Sequence, residues 1–177
     1  MTSPSHLTGT DRCAEAAEKH FPGYEVIINI QGDEPFIHPE QIDLLAGCFS
    51  ETKPKVNSQQ HAVEIATLAK VITDTGDLFN PNIPKVVIGK QGQALYFSRS
   101  PIPYLRNAEE KEWTGKHTYY KHIGIYAFRA DVLAEVARLT PSPLEKAESL
   151  EQLRWLENGY GIQAEVTGHE SFSVDVP

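Results

Sequence analysis

Residues 26–35 read Val-Ile-Ile-Asn-Ile-Gln-Gly-Asp-Glu-Pro, a short apolar run that ends abruptly in a polar turn. An uninterrupted Val/Ile run bounded by Gly and Pro is typical of a strand buried on both faces, and such strands belong to parallel sheets covered by helices. Ligands of open α/β sheets bind at the carboxyl ends of strands, which is where Asp33 and Glu34 emerge. An acidic turn that caps the next helix explains the same two residues equally well from the local pattern alone.

The bulk composition indicates one acidic globular domain. The chain has 177 residues, 40% of them hydrophobic, and its net charge of -8 gives a sequence pI of about 5.3. No apolar run approaches the roughly 20 residues of a membrane span. The sequence has no block of Lys and Arg residues, which argues against nucleic acid or an anionic membrane as the main partner. An acidic chain that handles phosphates has to concentrate its few basic residues locally or bind Mg²⁺.

The two cysteines, Cys13 and Cys48, do not lie in a CxxC or metal-type spacing. We interpret both as buried thiols in a reducing compartment. The N-terminus shows no charged segment followed by an apolar one, so we expect a cytoplasmic location.

Both ends of the chain differ from those of a complete α/β nucleotide-binding fold. The chain opens at Met1 in a loop pattern and stops at residues 174–177 without a closing helix pattern. We therefore expect a single domain, residues 1–177, that is truncated at both ends.

Periodicity and turn residues divide the chain into alternating helices and strands. The predicted helices cover residues 12–20, a segment from 39 to 48, 130–139 and one long helix over 144–158, and the predicted strands cover 26–30, 65–71, 85–88, 94–98, 119–128 and 163–167. This order predicts an α/β fold with a mixed, mainly parallel sheet covered by helices. The sequence contains no GxxxxGK[ST], GxGxxG or GxSxG motif, which excludes Walker ATPases, dinucleotide binders of the common type and α/β-hydrolases. The histidines form no i, i+4 pair of the kind that binds zinc.

Acidic residues follow two of the predicted strands. Asp33 and Glu34 follow the strand at 26–30, and Asp175 follows the last strand. Two carboxylates at different strand ends could converge on one Mg²⁺, which prefers oxygen ligands and usually also binds substrate phosphates. The alternative is that Asp175 is simply solvated.

Several basic residues could hold an anion. Arg12, Arg99, Arg106 and Arg154 follow turns or lie on a predicted helix, and each could bind a carboxylate or phosphate bidentately. Surface ion pairing is the alternative, and Glu151 and Arg154, three residues apart on a predicted helix, could pair with each other.

His122 and Tyr126 lie four residues apart on an aromatic strand and therefore share one face of the sheet. Residues of these types in such a strand are ordinarily part of the core. Their alternative role is hydrogen bonding to a sugar hydroxyl.

Five segments together carry a family resemblance. They read His-Leu-Thr-Gly-Thr-Asp-Arg at 6–12, Gln-Gly-Asp-Glu-Pro at 31–35, Ala-Leu-Tyr-Phe-Ser-Arg at 94–99 with Pro103, His-Ile-Gly-Ile-Tyr at 122–126, and Ser-Pro-Leu-Glu at 142–145 continuing to Leu-Glu-Gln-Leu-Arg at 150–154. In this order and spacing they resemble the 3-deoxy-manno-octulosonate (Kdo) cytidylyltransferases, the CMP-Kdo synthetases of lipopolysaccharide biosynthesis.

The resemblance implies a Rossmann-like nucleotidyltransferase fold and transfer of CMP from CTP to Kdo, with Mg²⁺ as cofactor and pyrophosphate as product. Asp33 and Asp175 match the two catalytic, Mg²⁺-binding aspartates, and Glu34 is left with a structural role. The positions that match the family's sugar-acid contacts are Gln31, Arg99, Arg106, His122, Tyr126, Glu151 and Gln152. The positions that match its cytidine side are Thr8, Gly9, Thr10 and Arg12. A homodimer formed through the middle hairpin and residues 101–113 is also implied.

The chain departs from the family pattern at both ends. Family members begin with a strand and a basic Pro-Ala-Arg loop ending in Pro-Gly-Lys that grips the triphosphate, and they continue beyond the second aspartate into a helix. Loss of a cationic clamp on a transferring phosphoryl group weakens transition-state stabilisation, so we expect this chain to turn over poorly. The alternatives are a CMP-sialic acid synthetase or an enzyme for an amino variant of Kdo, and a non-catalytic remnant that binds a sugar acid or serves as an assembly partner.

Overall fold

A computed structural model describes residues 2–6, 8–32, 36–50 and 62–170 of the protein. The predicted metal ligands Asp33 and Asp175, and Glu34 beside the first of them, lie outside the described residues.

Helices and strands alternate along the chain. The helices are α1 (Gly9–His20), α2 (Pro39–Gly47), α3 (Thr75–Phe79), α4 (Trp113–Lys116), α5 (Ala130–Val136), α6 (Pro143–Glu148) and α7 (Gln152–Glu157), with a 3-10 helix at Glu110–Glu112. The strands are β1 (Val26–Asn29), β2 (Ile65–Ile72), β3 (Lys85–Ile88), β4 (Ala94–Ser98), β5 (Tyr119–Arg129) and β6 (Ile162–Val166). Helix α1 begins at Gly9 rather than at the predicted residue 12, because Thr8 and Asp11 form a capping box at its start.

The long strand β5 organises the sheet, whose order is β4-β3-β5-β2-β6 with β1 also paired to β5. Strand β2 pairs along one edge of β5, so β1 and β3 share the other edge. Strand β1 pairs with residues 126–129 of β5 and β3 pairs with residues 120–121. The carboxyl end of β1 and the amino end of β3 therefore both point towards the middle of β5.

The predicted α/β fold with a mixed sheet covered by helices is confirmed, but the expected predominance of parallel pairs is wrong for the described strands. Of their five pairings, only β2 with β6 is parallel. The reason is that β5 runs antiparallel to all three of its neighbours. Likewise, Val26, Ile27 and Ile28 are half-buried and not fully buried, because β1 pairs with β5 alone among the described strands.

Alternate residues of β5 pack on opposite faces of the sheet, and each face is covered by helices. One core includes Ile65, Phe97, Tyr126, Phe128, Leu133, Leu153 and Trp155, with α1, α5 and α7 on that face. The other includes Leu45, Cys48, Leu68, Ile123 and Ile125, with α2.

Cys48 is buried as predicted and Cys13 is half-buried, and both are free thiols. Among the parts of the chain that the structure describes, no helix is long and apolar enough to cross a membrane.

The single long helix predicted over residues 144–158 is wrong. The structure divides it into α6 and α7 at Ser149, whose backbone is left-handed with φ 51° and ψ 48°. The cause is tertiary: Ser98 and Arg99, at the end of β4, hydrogen-bond to the Glu148 carboxylate at this junction. Local helix propensity contains no information about such contacts.

Candidate functional site

The middle of β5 carries a histidine whose tautomer is set by its neighbour. His122 Nε2 lies 3.0 Å from the hydroxyl of Thr67, and that hydroxyl donates to the carbonyl of Ile125 at 2.8 Å. Since the hydroxyl has one proton, it accepts from the histidine, which assigns the Nε2–H tautomer and leaves Nδ1 as an acceptor. Burial lowers the pKa of His122 to about 3, so the ring is neutral at physiological pH.

Thr67 has this role because of an irregularity in the sheet. The pairing of β2 with β5 shifts between Thr67 and Leu68, and the hydroxyl of Thr67 contacts carbonyl oxygens of the bulged part of β5. Thr67 was not among the site residues predicted from the sequence. A hydroxyl residue within the apolar run 65–69 was the signal that could have identified it.

Three buried donors on β5 and α7 have no hydrogen-bond partner: Tyr126 Oη, Gln152 Nε2 and Trp155 Nε1. The Tyr126 ring lies 5.3 Å from that of His122 and 4.9 Å from that of Trp155, measured between ring centroids. Gln152 and Trp155 are three residues apart and so neighbours on α7. A buried donor without a partner costs about 1–3 kcal/mol, and such groups are therefore candidates for ligand contacts. Burial, with the nearby Glu151, raises the pKa of Tyr126 well above its usual value, so the phenol keeps its proton.

Glu151 connects α7 to the start of α1. The Thr10 hydroxyl donates to its carboxylate at 2.9 Å, and the Thr8 side chain also hydrogen-bonds to it. Burial raises the pKa of Glu151, and these hydrogen bonds oppose the effect. The structure thus joins one predicted sugar-acid residue to two residues of the predicted cytidine side, while Gly9 and Arg12 of that side are exposed.

The predicted anion-binding arginines differ in their surroundings. Arg99 donates to three backbone carbonyls, those of Pro81, Glu148 and Ser149, at 3.0, 2.7 and 3.3 Å. Arg106 is exposed on the segment after β4, and Gln31 is exposed just beyond β1. Among the described residues, no hydrogen bond joins Arg106 or Gln31 to His122 or Tyr126.

Arg154 forms a structural ion pair that the sequence analysis did not predict. Its guanidinium binds Glu145 through two hydrogen bonds, at 2.7 and 2.5 Å, and a third goes to the carbonyl of Leu139. With 5% of its side chain exposed, it lies in the interior. The suggested hydrogen-bonded pairing of Arg154 with Glu151 is therefore replaced by pairing with Glu145 across the α6–α7 junction.

A cluster of three side chains ties α2 to the segment after β6. Glu40 Oε2 lies 2.5 Å from His169 Nε2, and the rings of His38 and His169 stack with centroids 3.9 Å apart. Ligand-type atoms of all three lie within 4.8 Å of one another. Parallel stacked rings point their nitrogens side by side and not at one point, so we interpret the cluster as a clasp between two segments. The sequence analysis missed it because Glu40 and His169 are 129 residues apart.

The clasp lies close in sequence to both predicted metal ligands. Asp33 precedes His38 by five residues and Asp175 follows His169 by six. The described residues nearest to these positions in the cluster, His38 and His169, are in contact with each other.

Comparison with known proteins gives consistent matches. The sequence profile of the family described as "Cytidylyltransferase" matches residues 1–166. The 3-deoxy-manno-octulosonate cytidylyltransferases of Parabacteroides distasonis and Cytophaga hutchinsonii are 54% and 53% identical to this chain. The two alignments cover 100% and 99% of this chain, and 68% and 67% of the relatives' own lengths. A solved CMP:2-keto-3-deoxy-manno-octonic acid synthetase complexed with CTP superposes with a TM-score of 0.84 at 38% identity, over 100% of this chain and 66% of that one. The chain spans about two thirds of the length of these relatives.

Proposed function

This chain belongs to the cytidylyltransferase family, and we propose that it transfers CMP from CTP to Kdo, with release of pyrophosphate, for lipopolysaccharide biosynthesis. The observation that carries the proposal is the pair of unpartnered buried donors on β5 and α7, Tyr126 Oη and Gln152 Nε2, with the His122 ring centroid 5.3 Å from that of Tyr126. Together with Glu151 they form a set of donors and acceptors that suits the several hydroxyls of a sugar acid.

The reaction requires an anomeric hydroxyl of the sugar acid to attack the α-phosphorus of CTP. A new P–O bond forms, the bond to the bridging α–β oxygen breaks, and pyrophosphate leaves. Catalysis of this reaction class consists largely of positioning the two substrates and stabilising charge. Side chains that orient the acceptor hydroxyls therefore have a direct effect on rate.

His122, Tyr126 and Gln152 orient the sugar acid in this proposal. Nδ1 of His122 accepts from one hydroxyl, and the Tyr126 phenol and the Gln152 amide donate to others. Because the phenol keeps its proton, it acts as a donor throughout the reaction.

Arg99 and Arg106 are proposed to bind the carboxylate. A guanidinium has five N–H donors, of which Arg99 engages three with backbone carbonyls, leaving 5 − 3 = 2 for a carboxylate. Gln31, beyond the end of β1, is assigned to the same substrate. On the nucleotide side we assign the start of α1, with Thr8, Gly9, Thr10 and Arg12, and the contact of Thr10 with Glu151 supports adjacent binding of the two substrates.

We assign Mg²⁺ to Asp33 and Asp175. Carboxylate oxygens are the ligands that Mg²⁺ prefers, and the clasp that holds their flanking segments together supports the assignment. When bound, Mg²⁺ neutralises charge on the triphosphate and favours ionisation of the attacking hydroxyl.

The proposal includes a cytoplasmic homodimer. The free thiols Cys13 and Cys48 suit a reducing compartment. Leu95 on the β3–β4 hairpin and Tyr104 beyond it are 55% and 74% exposed, and exposed apolar side chains of this kind favour the hairpin and residues 101–113 as the dimer contact.

A pyrophosphate-release assay with CTP, Kdo and Mg²⁺ tests the function. We expect turnover that EDTA abolishes, with Gln152→Leu raising the KM for Kdo about tenfold and leaving the KM for CTP unchanged. Asp33→Asn is expected to remove activity without unfolding the protein. Turnover with sialic acid or an amino sugar acid in preference to Kdo would replace the proposed acceptor.

Calorimetry with CTP and with Kdo separately distinguishes an enzyme from a non-catalytic binding protein. Kdo binding without CTP binding would identify a sugar-acid-binding half-site, and binding of neither by folded protein would contradict the proposal.

A further inference from the structure

The junction between α6 and α7 is held to the end of β4 by reciprocal hydrogen bonds. The hydroxyl of Ser98 donates to Glu148 Oε1 at 2.6 Å, and the backbone N–H of Arg99 donates to Oε2 at 3.0 Å. In return, Arg99 Nε donates to the backbone carbonyl of Glu148 at 2.7 Å and Nη2 to that of Ser149 at 3.3 Å. The side chains of Glu148 and Arg99 thus each bind the other's backbone, and neither segment can shift alone.

The junction holds the chain in a conformation that the sequence does not favour. Ser149 is the non-glycine residue with positive φ among the residues that the structure describes. Left-handed backbone is unfavourable for an L-residue, and it persists where surrounding contacts determine it. The contacts that do so here are those of Glu148 and Arg99.

The break at Ser149 determines where the next side chains lie. In an uninterrupted helix, residues 151 and 152 would share a face with Glu148, three and four positions before them. Instead, Glu151 reaches Thr10 on α1, and Gln152 is 4% exposed on the helix that packs against Tyr126.

We propose that Glu148 is a positioning residue that sets Arg99 and the Glu151–Gln152 pair at a fixed separation, an inference that rests on the function proposed above. Both of its carboxylate oxygens are engaged by Ser98 and Arg99, so it acts through these neighbours and not on the substrate. One carboxylate thereby couples the group proposed to bind the sugar acid's carboxylate to the groups proposed to bind its hydroxyls.

Steady-state kinetics test the consequence for the substrate. We expect Glu148→Ala to raise the KM for Kdo at least tenfold while the KM for CTP changes less than twofold. Glu148→Gln, which keeps one acceptor oxygen, should restore most of the wild-type KM. Glu157→Ala is the matched control: Glu157 accepts from the backbone of Leu144 at the other end of the same helix pair, and its loss should leave both KM values unchanged. An unchanged KM for Kdo in Glu148→Ala, or an equal rise for both substrates, overturns the proposal.

NMR of the arginine Nε–H groups tests the positioning without reference to activity. In Glu148→Ala we expect hydrogen exchange of the Arg99 Nε–H to accelerate at least tenfold, while that of Arg154, held by Glu145, stays as in wild type. Equal acceleration at both arginines would indicate general loosening and overturn the proposal, as would no change at Arg99. If the wild type binds no Kdo but Arg99 responds as expected, the proposed function fails while the positioning role stands.

Discussion

Acidification should destabilise the fold through His122. The half-buried ring donates to Thr67, and desolvation holds its pKa at about 3, well below the value of 6.5 for an unperturbed histidine. Between these two values the unfolded chain binds a proton that the folded chain does not, so stability falls as the pH is lowered through this window. At pH 5, protonation favours the unfolded chain by a factor of (1 + 10^1.5)/(1 + 10^−2), roughly 30. At pH 8 the corresponding factor is about 1, so about 2 kcal/mol of stability is lost between the two pH values.

Urea unfolding of the wild type and of His122→Gln at both pH values measures this loss. The glutamine amide can donate to Thr67 as the imidazole does but does not titrate. We therefore expect the wild type to lose about 2 kcal/mol more than the variant between pH 8 and pH 5. Thr67→Ser, which keeps the hydroxyl, is the control and should retain the wild-type pH dependence. Parallel pH dependences for wild type and His122→Gln would refute the assignment of a neutral ring with a lowered pKa.

Three further substitutions test other parts of the structure. Tyr126→Phe removes a buried donor without a partner, so the free energy of unfolding should be unchanged or higher by up to about 1 kcal/mol. The KM for Kdo should rise about tenfold in the same variant. A clear loss of stability in urea unfolding would contradict this prediction. Arg154→Met leaves Glu145 buried without its partner and should cost about 3–5 kcal/mol, and the double variant with Glu145→Gln should recover most of it, which a double-mutant cycle measures. Ser149→Gly should raise the free energy of unfolding by about 0.5–1 kcal/mol in thermal unfolding, because glycine adopts the left-handed conformation without the Cβ penalty; no gain would indicate that the serine is not strained.

The sequence by itself determined the local elements of this protein. Apolar runs located the strands around residues 65–71 and 119–128, and the hairpin followed from two such runs separated by glycines, because hydrophobic period and turn chemistry are local properties. The five motifs in register also identified the family, which the comparisons confirm.

The tertiary structure decided how these elements pair and which side chains meet. The antiparallel setting of β5 against three neighbours, the break at Ser149 and the pairing of Arg154 with Glu145 all depend on contacts between elements. The same holds for the bond from Thr10 to Glu151, which spans 141 residues. Periodicity records which face of an element is apolar but not which partner covers it, so such contacts exist only once the chain has folded.

The stretch of residues 26–35 illustrates what the sequence determined and what the tertiary structure determined. Its Val-Ile-Ile run specified a strand and its polar turn specified a strand end, and β1 ends there. That this end faces the middle of β5, where His122 and Tyr126 lie, follows from strand pairing alone, because an antiparallel partner determines the direction in which β1 points.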